Sequence, residues 1–358
     1  MSIIIFTITH KSFTPPPDPL YIPLHVGREG KEDLGYLGDN TGNNISHKNT
    51  NYCELTGMYW LWKNYHQTDY IGICHYRRYL INENGVLFTE QELASLLTQY
   101  DMITTKLLTL PGSYYDGFSA NHHVKDLLTT KDVIQEMYPE YLDTFNRLIC
   151  GPHTYFGNIM ITSKTEYDRY CQWLFAILFE VEKRCDFTGY NGYQMRLFGF
   201  LSEFLQTVWI QYHQLNVLEC MVGMVGSKSE TTALKKDLAS CFSQKDYKTA
   251  KQIFLDVYRK RPDILMEASD IDGELRLCMQ IISTCEYEDD AYGHCILDTY
   301  HSYPELINHF KQLNYFVAST AEAAEDKIHK QHFLQNPYVT PLSLKIAKQL
   351  HDTQTKLY

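Results

Sequence analysis

The stretch from Asp69 to Leu80, Asp-Tyr-Ile-Gly-Ile-Cys-His-Tyr-Arg-Arg-Tyr-Leu, constrains this chain more than any other. Its first half, Tyr70 to Cys74, is a short apolar run after a polar Gln67-Thr68-Asp69 turn, the pattern of a buried parallel strand. His75, Arg77 and Arg78 then arrive together where that strand ends. In an open α/β sheet ligands bind at the carboxyl ends of strands, and a guanidinium presents a planar fork of donors that matches a phosphate. The cluster reads as an anion site. Surface pairing with acidic residues is the alternative; burial of these charges beside Tyr76 and Tyr79 would be costly without a partner.

A chain of 358 residues has room for two domains, and 44% hydrophobic content supports real cores. With 28 Tyr and 17 Phe it is rich in rings that suit a polar cleft as well as ordinary packing. The formal charge of −11 argues against general nucleic-acid binding, which needs a basic face. No run approaches the ~18 to 20 apolar residues that cross a bilayer, and the start Met1-Ser2-Ile3-Ile4-Ile5-Phe6 lacks the basic flank of a signal peptide. A cytoplasmic protein is expected. The ten cysteines form no Cys-x-x-Cys pair and show no zinc spacing, so they read as reduced, mostly buried thiols.

The β-branched run Ile3 to Thr9 predicts a central first strand, ending in His10-Lys11. After the Pro-rich turn Thr14 to Pro19, the polar segment from Gly35 to Asn51 carries Asp39 and Asn44, side chains able to hold a sugar or base. A flexible linker is the other reading. Helical spacing follows over Glu54 to Tyr65, then a helix over Thr89 to Gln99 opened by a Thr89/Glu92 capping box. A strand is predicted over Tyr100 to Thr105, and the Tyr-, His- and Asp-rich segment Tyr114 to Leu127 after it reads as a loop walling a polar site. Tyr155 to Thr162 is a further predicted strand, interrupted by Asn158, which needs a hydrogen-bond partner. Amphipathic helices follow over Glu166 to Arg184 and Tyr193 to Gln211, separated by the loop Asp186 to Gly192. The second helix carries Glu203 near an apolar face, either as a general base or as the partner of a buried arginine.

Beyond Gly226-Ser227-Lys228-Ser229 the sequence reads as helices over Thr232 to Ser243, Tyr247 to Arg261, Glu274 to Glu286, Ala291 to Tyr300 and Glu305 to Tyr315. Val257 to Pro262 and Asp298 to Pro304 both place Tyr four residues before Pro, a hint of tetratricopeptide-like helix pairs.

Taken together, Ile45-Ser46 with Lys48-Asn49, Asn51-Tyr52-Cys53-Glu54-Leu55-Thr56, Tyr59 to Asn64, His75-Tyr76-Arg77-Arg78-Tyr79, Lys125-Asp126-Leu127 and Gly199-Phe200-Leu201-Ser202-Glu203 closely resemble a bacterial glycosyltransferase family of capsule, exopolysaccharide and O-antigen synthesis. Members with assigned activity are galactofuranosyltransferases that use UDP-galactofuranose. The likeness runs from Ile3 to about Val217. It implies an α/β fold, a GT-A-like (Rossmann-type) nucleotide-sugar-binding sheet flanked by helices, over 1–226; the all-α C-terminal region over 227–358 lies outside the likeness. It also implies inversion at the anomeric carbon. Where most GT-A enzymes hold a divalent metal with Asp-x-Asp, this chain has His75-Tyr76-Arg77, so no cofactor is expected and Arg77 and Arg78 are expected to neutralise the departing UDP. The family commonly has Arg after Ser-Glu; this chain has Phe204. A bulkier residue usually precedes the Asn of Gly157-Asn158-Ile159, which points to a different acceptor.

The expected function is hexose transfer from a UDP-sugar donor to a polysaccharide or lipid-linked glycan acceptor. Thr7, His10, Lys11, Asp39 and Asn44 are expected at the nucleotide end, with His75, Arg77 and Arg78 on the diphosphate and Asn158 on the donor. Asp116, Asp126, Asp186 and Glu203 are the candidate bases. Two rivals stand beside this reading: a non-catalytic sugar-binding or scaffold protein of a polysaccharide assembly complex, and a sugar-phosphate transferase. For the tail three roles are open: packing on the catalytic domain, homodimer formation, or peripheral association with the inner face of the membrane. Its helices lack a strongly basic face for the last.

Overall fold

The computed structural model describes residues 1–226, 228–266, 269–300, 302–319 and 324–355. Ser227 at the expected boundary and His301 in one Tyr-to-Pro segment lie outside the described residues. Contacts divide the chain into two compact units, Met1–Val225 and Gly226–Tyr358.

The first unit is built on a mixed sheet. Its strands are β1 (Ile3–Thr9), β2 (Tyr21–His25), β3 (Leu37–Gly38), β4 (Tyr70–His75), β5 (Arg78–Ile81) and β6 (Met102–Thr105), completed by two late strands. A separate two-stranded antiparallel sheet pairs β7 (Leu108–Thr109) with β8 (His153–Thr154); the late strands are β9 (Met160–Ser163) and β10 (Val217–Met224). β1 runs parallel to both β2 and β4, with Ile8 opposite His75. β9 lies antiparallel between β4 and β6, and β10 joins β6 in parallel to β5 antiparallel. β5 also returns to β4 at the single pair His75–Arg78, so the chain reverses through Tyr76-Arg77.

Side chains on a strand alternate between faces, and both faces here are covered. Phe6, Ile8, Ile71, Ile73 and Met160 join the large core with α1 (Asn49–Tyr52), α2 (Leu55–Asn64) and later helices. Ile3, Ile5, Cys74 and Ile161 face the other way, toward Leu93 of α3 (Glu90–Leu96). α3 opens with the expected Thr89/Glu92 capping box. α2 packs close to the sheet at Gly57, where a Cβ would lie 2.6 Å from Val26 Cγ1.

The segment read as a loop over Tyr114 to Leu127 is instead largely helical, as α4 (Tyr114–Ser119) and the start of α5 (Val124–Met137). A Ser113/Asp116 capping box starts α4, a local signal that outweighs the polar composition. α6 (Leu142–Ile149), α7 (Lys164–Arg184) and α8 (Leu197–His213) complete the helical layer. The strand expected over Tyr155 to Thr162 begins only at Met160, because Gly157 and Asn158 take φ of +99° and +49° and break the extended run. β10 was not foreseen.

The second unit consists of helices α9 (Ser229–Ser243), α10 (Tyr247–Lys260), α11 (Glu274–Tyr292), α12 (Tyr303–Ala318), α13 (Ala324–Leu334) and α14 (Pro341–Thr355). α11 packs against α9, α10, α12 and α14 around Leu275, Ile281, Phe310 and Leu313. The helix expected over Ala291 to Tyr300 does not form: Gly293, at φ +71°, ends α11, and only a short 3-10 turn, Ile296–Asp298, follows. The two Tyr-to-Pro segments play different parts, since Pro262 follows a helix and Pro304 sits in the first turn of one. Among the described residues no helix is long and apolar enough to cross a membrane.

Candidate functional site

Four charged side chains from distant parts of the sequence converge beside the carboxyl end of β4. Glu54 precedes α2, Arg78 opens β5, Arg196 precedes α8 and Glu203 lies on α8. His75 ends β4 among them. Its Nε2 lies 2.6 Å from the Gly157 carbonyl oxygen, which can only accept, so that nitrogen carries the proton. Burial first, and then the Arg78 charge, hold the imidazole well below its ordinary pKa and therefore neutral.

Arg78 is half-buried, makes no side-chain hydrogen bond among the described residues and has no carboxylate oxygen within 4.0 Å. Burial lowers its pKa, against the pull of Glu203 and Glu54. A desolvated guanidinium without an ion pair is costly. It is suited to an incoming anion. Glu203 accepts from the Gly157 N–H at 2.8 Å, and burial followed by the Glu54 charge pushes its carboxyl up to about 8. Arg78 and Arg196 pull in the other direction. Arg196 lies over the Phe200 ring, 5.2 Å from its centroid, and reaches the Cys53 side chain.

Asn158 is fully buried. Its Nδ2 donates to Glu54 Oε1 at 2.6 Å and to Ser202 Oγ at 2.9 Å, whereas its Oδ1 has no partner among the described residues.

Other expected donor residues fall in three places. His10 and Lys11 are exposed beyond β1 and gather at the Tyr76 ring, His10 edge-on at 5.6 Å and the Lys11 ammonium 5.5 Å from the centroid. Phe13 meets Tyr76 and Tyr36 at 5.8 and 5.7 Å, so a half-buried aromatic platform stands at the ends of β1 and β4. Thr7 does not line this face. It is fully buried, with its hydroxyl 3.3 Å from Cys74 Sγ, because strand alternation turns it toward α3. Asp39 turns inward as well, and Asn44 folds back on its own turn. Asp39 is buried and accepts from Gly27 N–H at 2.8 Å, Arg28 N–H at 3.1 Å and Ser46 hydroxyl at 2.5 Å. Asn44 bonds Gly42 O and Ser46 N–H within its own turn. These two hold the loop in shape. Arg77 parts from Arg78, its Nε donating to Val225 O at 3.3 Å beyond β10.

The candidate bases separate in the same way. Asp116 is exposed and caps α4; Asp186 is exposed and accepts from Thr188 N–H. Asp126 is 2% exposed at the start of α5, accepts from Tyr190 OH at 2.6 Å, and burial raises its pKa. Of the four, Glu203 stands with Arg78 and His75. Glu54, Arg196 and Gly157 were not assigned roles from sequence, although Glu54 lies in a quoted motif. His25, ending β2, was missed too. It is 2% exposed, and neither ring nitrogen has a partner among the described residues.

Phe204, where the resembled family has Arg, is core: it stacks on Tyr114 at 4.1 Å. Among the described residues no group of three or more His, Cys, Asp or Glu side chains is arranged to hold a metal ion.

The family model described as a domain of unknown function, DUF4422, matches residues 4–214. Among solved structures, the apo form of the bifunctional glycosyltransferase WbbM is similar, with a TM-score of 0.59 and 28% identity over 63% of this chain and 46% of that one. The chain thus spans less than half the length of the structure it matches. No curated protein matches it.

Proposed function

We propose that this chain, which belongs to the DUF4422 family, is an inverting glycosyltransferase with a GT-A-like donor domain. It moves a hexose, galactofuranose, from a UDP-sugar to a hydroxyl of a polysaccharide or lipid-linked glycan. One observation carries the reading: the half-buried Arg78 guanidinium lacks an ion pair among the described residues and stands beside a raised carboxyl, Glu203, in a fold similar to a glycosyltransferase.

In this reading Arg78 takes the charge that develops on the departing UDP. Neutral His75 adds no charge to the site. Glu203, when ionised, accepts the proton of the acceptor hydroxyl. The acceptor oxygen forms its bond to the anomeric carbon as the bond to the diphosphate oxygen breaks, and that electron pair leaves with UDP. The aromatic platform at Tyr76, with His10 and Lys11, receives the nucleotide end. Imidazole and guanidinium at the strand end are poor ligands for a hard divalent cation, which prefers oxygens, so donor binding is read as metal-independent.

The test is a thermal-shift series on the whole chain with UDP, UDP-galactofuranose, UDP-galactopyranose and UDP-glucose, with and without chelator, repeated with Arg78→Ala. Ligand at 100 times Kd adds about 2.7 kcal/mol, a shift of several degrees. Stabilisation by UDP ligands that survives chelation and disappears in Arg78→Ala supports the reading. No shift in folded protein would favour the scaffold alternative, and a chelator-sensitive one would remove metal independence.

A further inference from the structure

Among the described residues, four other than glycine have positive φ: Cys53, Asn158, Gln214 and Lys245. Gln214 and Lys245 stand just beyond helix ends, where such a residue is ordinary. Asn158 and Cys53, the latter also just beyond a short helix, flank the carboxylates. Cys53, at φ 49° and ψ −127°, lies outside the left-handed helical well and directly precedes Glu54. Asn158 follows Gly157 in a left-handed turn.

That turn makes three contacts with the site. The Gly157 N–H holds Glu203, the Gly157 carbonyl holds His75, and the Asn158 amide holds Glu54. The same amide bonds Ser202, the residue before Glu203. Its orientation is fixed chemically, because Glu54 Oε1 calls for a donor and the Ser202 hydroxyl already donates to Gly199 O. The consequence is a buried Oδ1 without a donor among the described residues, an unmade hydrogen bond that opposes this placement. Backbone strain and an orphaned acceptor at one residue mark a side chain held for what its other end does.

We infer that the Gly157–Asn158 turn is a positioning element that holds the Glu54 and Glu203 carboxylates together in the site, so that Glu54 acts on Glu203. The role rests on the reading of Glu203 as the base. The groups that act on Glu203 come from every packed element: Glu54 before α2, Arg78 on β5, the Gly157 N–H, and Arg196 before α8, with Tyr114 on α4 and the Cys53 thiol nearby. Glu54 opposes ionisation of Glu203, and the two arginines and the amide favour it.

Two independent readouts test the inference. In protein labelled with ¹³C at the glutamate carboxyls, wild type shows one resonance titrating far above the others, and Glu203→Gln identifies it by its loss. Glu54→Gln lowers that midpoint by about one pH unit, and the acidic limb of the kcat/KM profile for UDP-sugar turnover moves down by the same amount. Asn158→Ala, where it folds, lowers kcat with KM for the donor unchanged. A titration unmoved by Glu54→Gln in folded protein overturns the inference even if UDP-sugars are turned over. A titration that moves in a chain without turnover upholds the positioning role and defeats the transferase reading.

Discussion

Replacing Glu203 with Gln changes the pH dependence of stability in a direction that the structure dictates. The Gln carbonyl can still accept the Gly157 N–H, so the substitution removes the ionisable proton and little else. In the folded chain the carboxyl is raised from 4.5 to about 8, first by burial and then by Glu54. Below the lower value it is protonated in both states and contributes fully. As pH rises toward the upper value only the unfolded chain releases the proton, so wild type loses stability relative to Glu203→Gln, and above it the difference stays constant. At 1.36 kcal/mol per pH unit the ceiling is about 5 kcal/mol, and partial solvent access reduces the expected difference to roughly 2–4 kcal/mol. Urea denaturation of both proteins at pH 5, 6, 7 and 8.5, followed by fluorescence of the four tryptophans, Trp60, Trp62, Trp173 and Trp209, all in the first unit, measures it. The variant should gain steadily across that range. A wild-type-minus-variant difference that is flat with pH, or that runs the other way, would refute the assignment of a buried, raised carboxyl at Glu203.

Two further substitutions separate site from scaffold. Gly157→Ala forces a side chain onto φ +99° and brings a Cβ to 3.3 Å from Arg78 Nη1; it should cost roughly 1–3 kcal/mol and weaken UDP-induced stabilisation, and an unaltered thermal shift with UDP would remove the turn from the site. Asp39→Ala leaves the buried Gly27 N–H, the half-buried Arg28 N–H and the Ser46 hydroxyl without their acceptor. It should lower stability by roughly 2–5 kcal/mol while leaving the affinity of the folded protein for UDP unchanged in calorimetry, whereas lost affinity at full stability would return Asp39 to the donor site.

Much of the fold was legible because its signals are local. The β-branched run at Ile3–Thr9, the apolar run ending at His75, the Thr89/Glu92 capping box and the stripe on Lys164–Arg184 each announce an element within a few residues. β10 was hidden because Val217–Met224 has only Val217 and Val222 as β-branched residues and is interrupted by Glu219 and Gly223, and it earns its place by pairing with β5 and β6, which lie more than a hundred residues earlier. The same limit applies to the site. Sequence brought His75 and Arg78 forward, since they follow a strand together. It could not tell Thr7 from Ile8 as the residue facing the helices, because the face a strand turns toward α3 is set by what packs on each side.

Nor could sequence rank the carboxylates. Asp116, Asp126, Asp186 and Glu203 all sit near plausible loops or helix faces in the chain. Asp116 caps its own helix and Asp186 its own turn through contacts two or three residues away, but only the packed molecule hands Asp126 to Tyr190 and leaves Glu203 with Arg78. Glu54 and Glu203 are far apart in sequence and meet because the turn at Gly157 and Asn158 reaches both. Local patterning thus determined the strands, the helices and the basic cluster, whose causes lie within a turn or two of chain. The pairing of charges, their burial and their protonation were decided by tertiary structure, because desolvation and Coulomb interactions depend on distance through space.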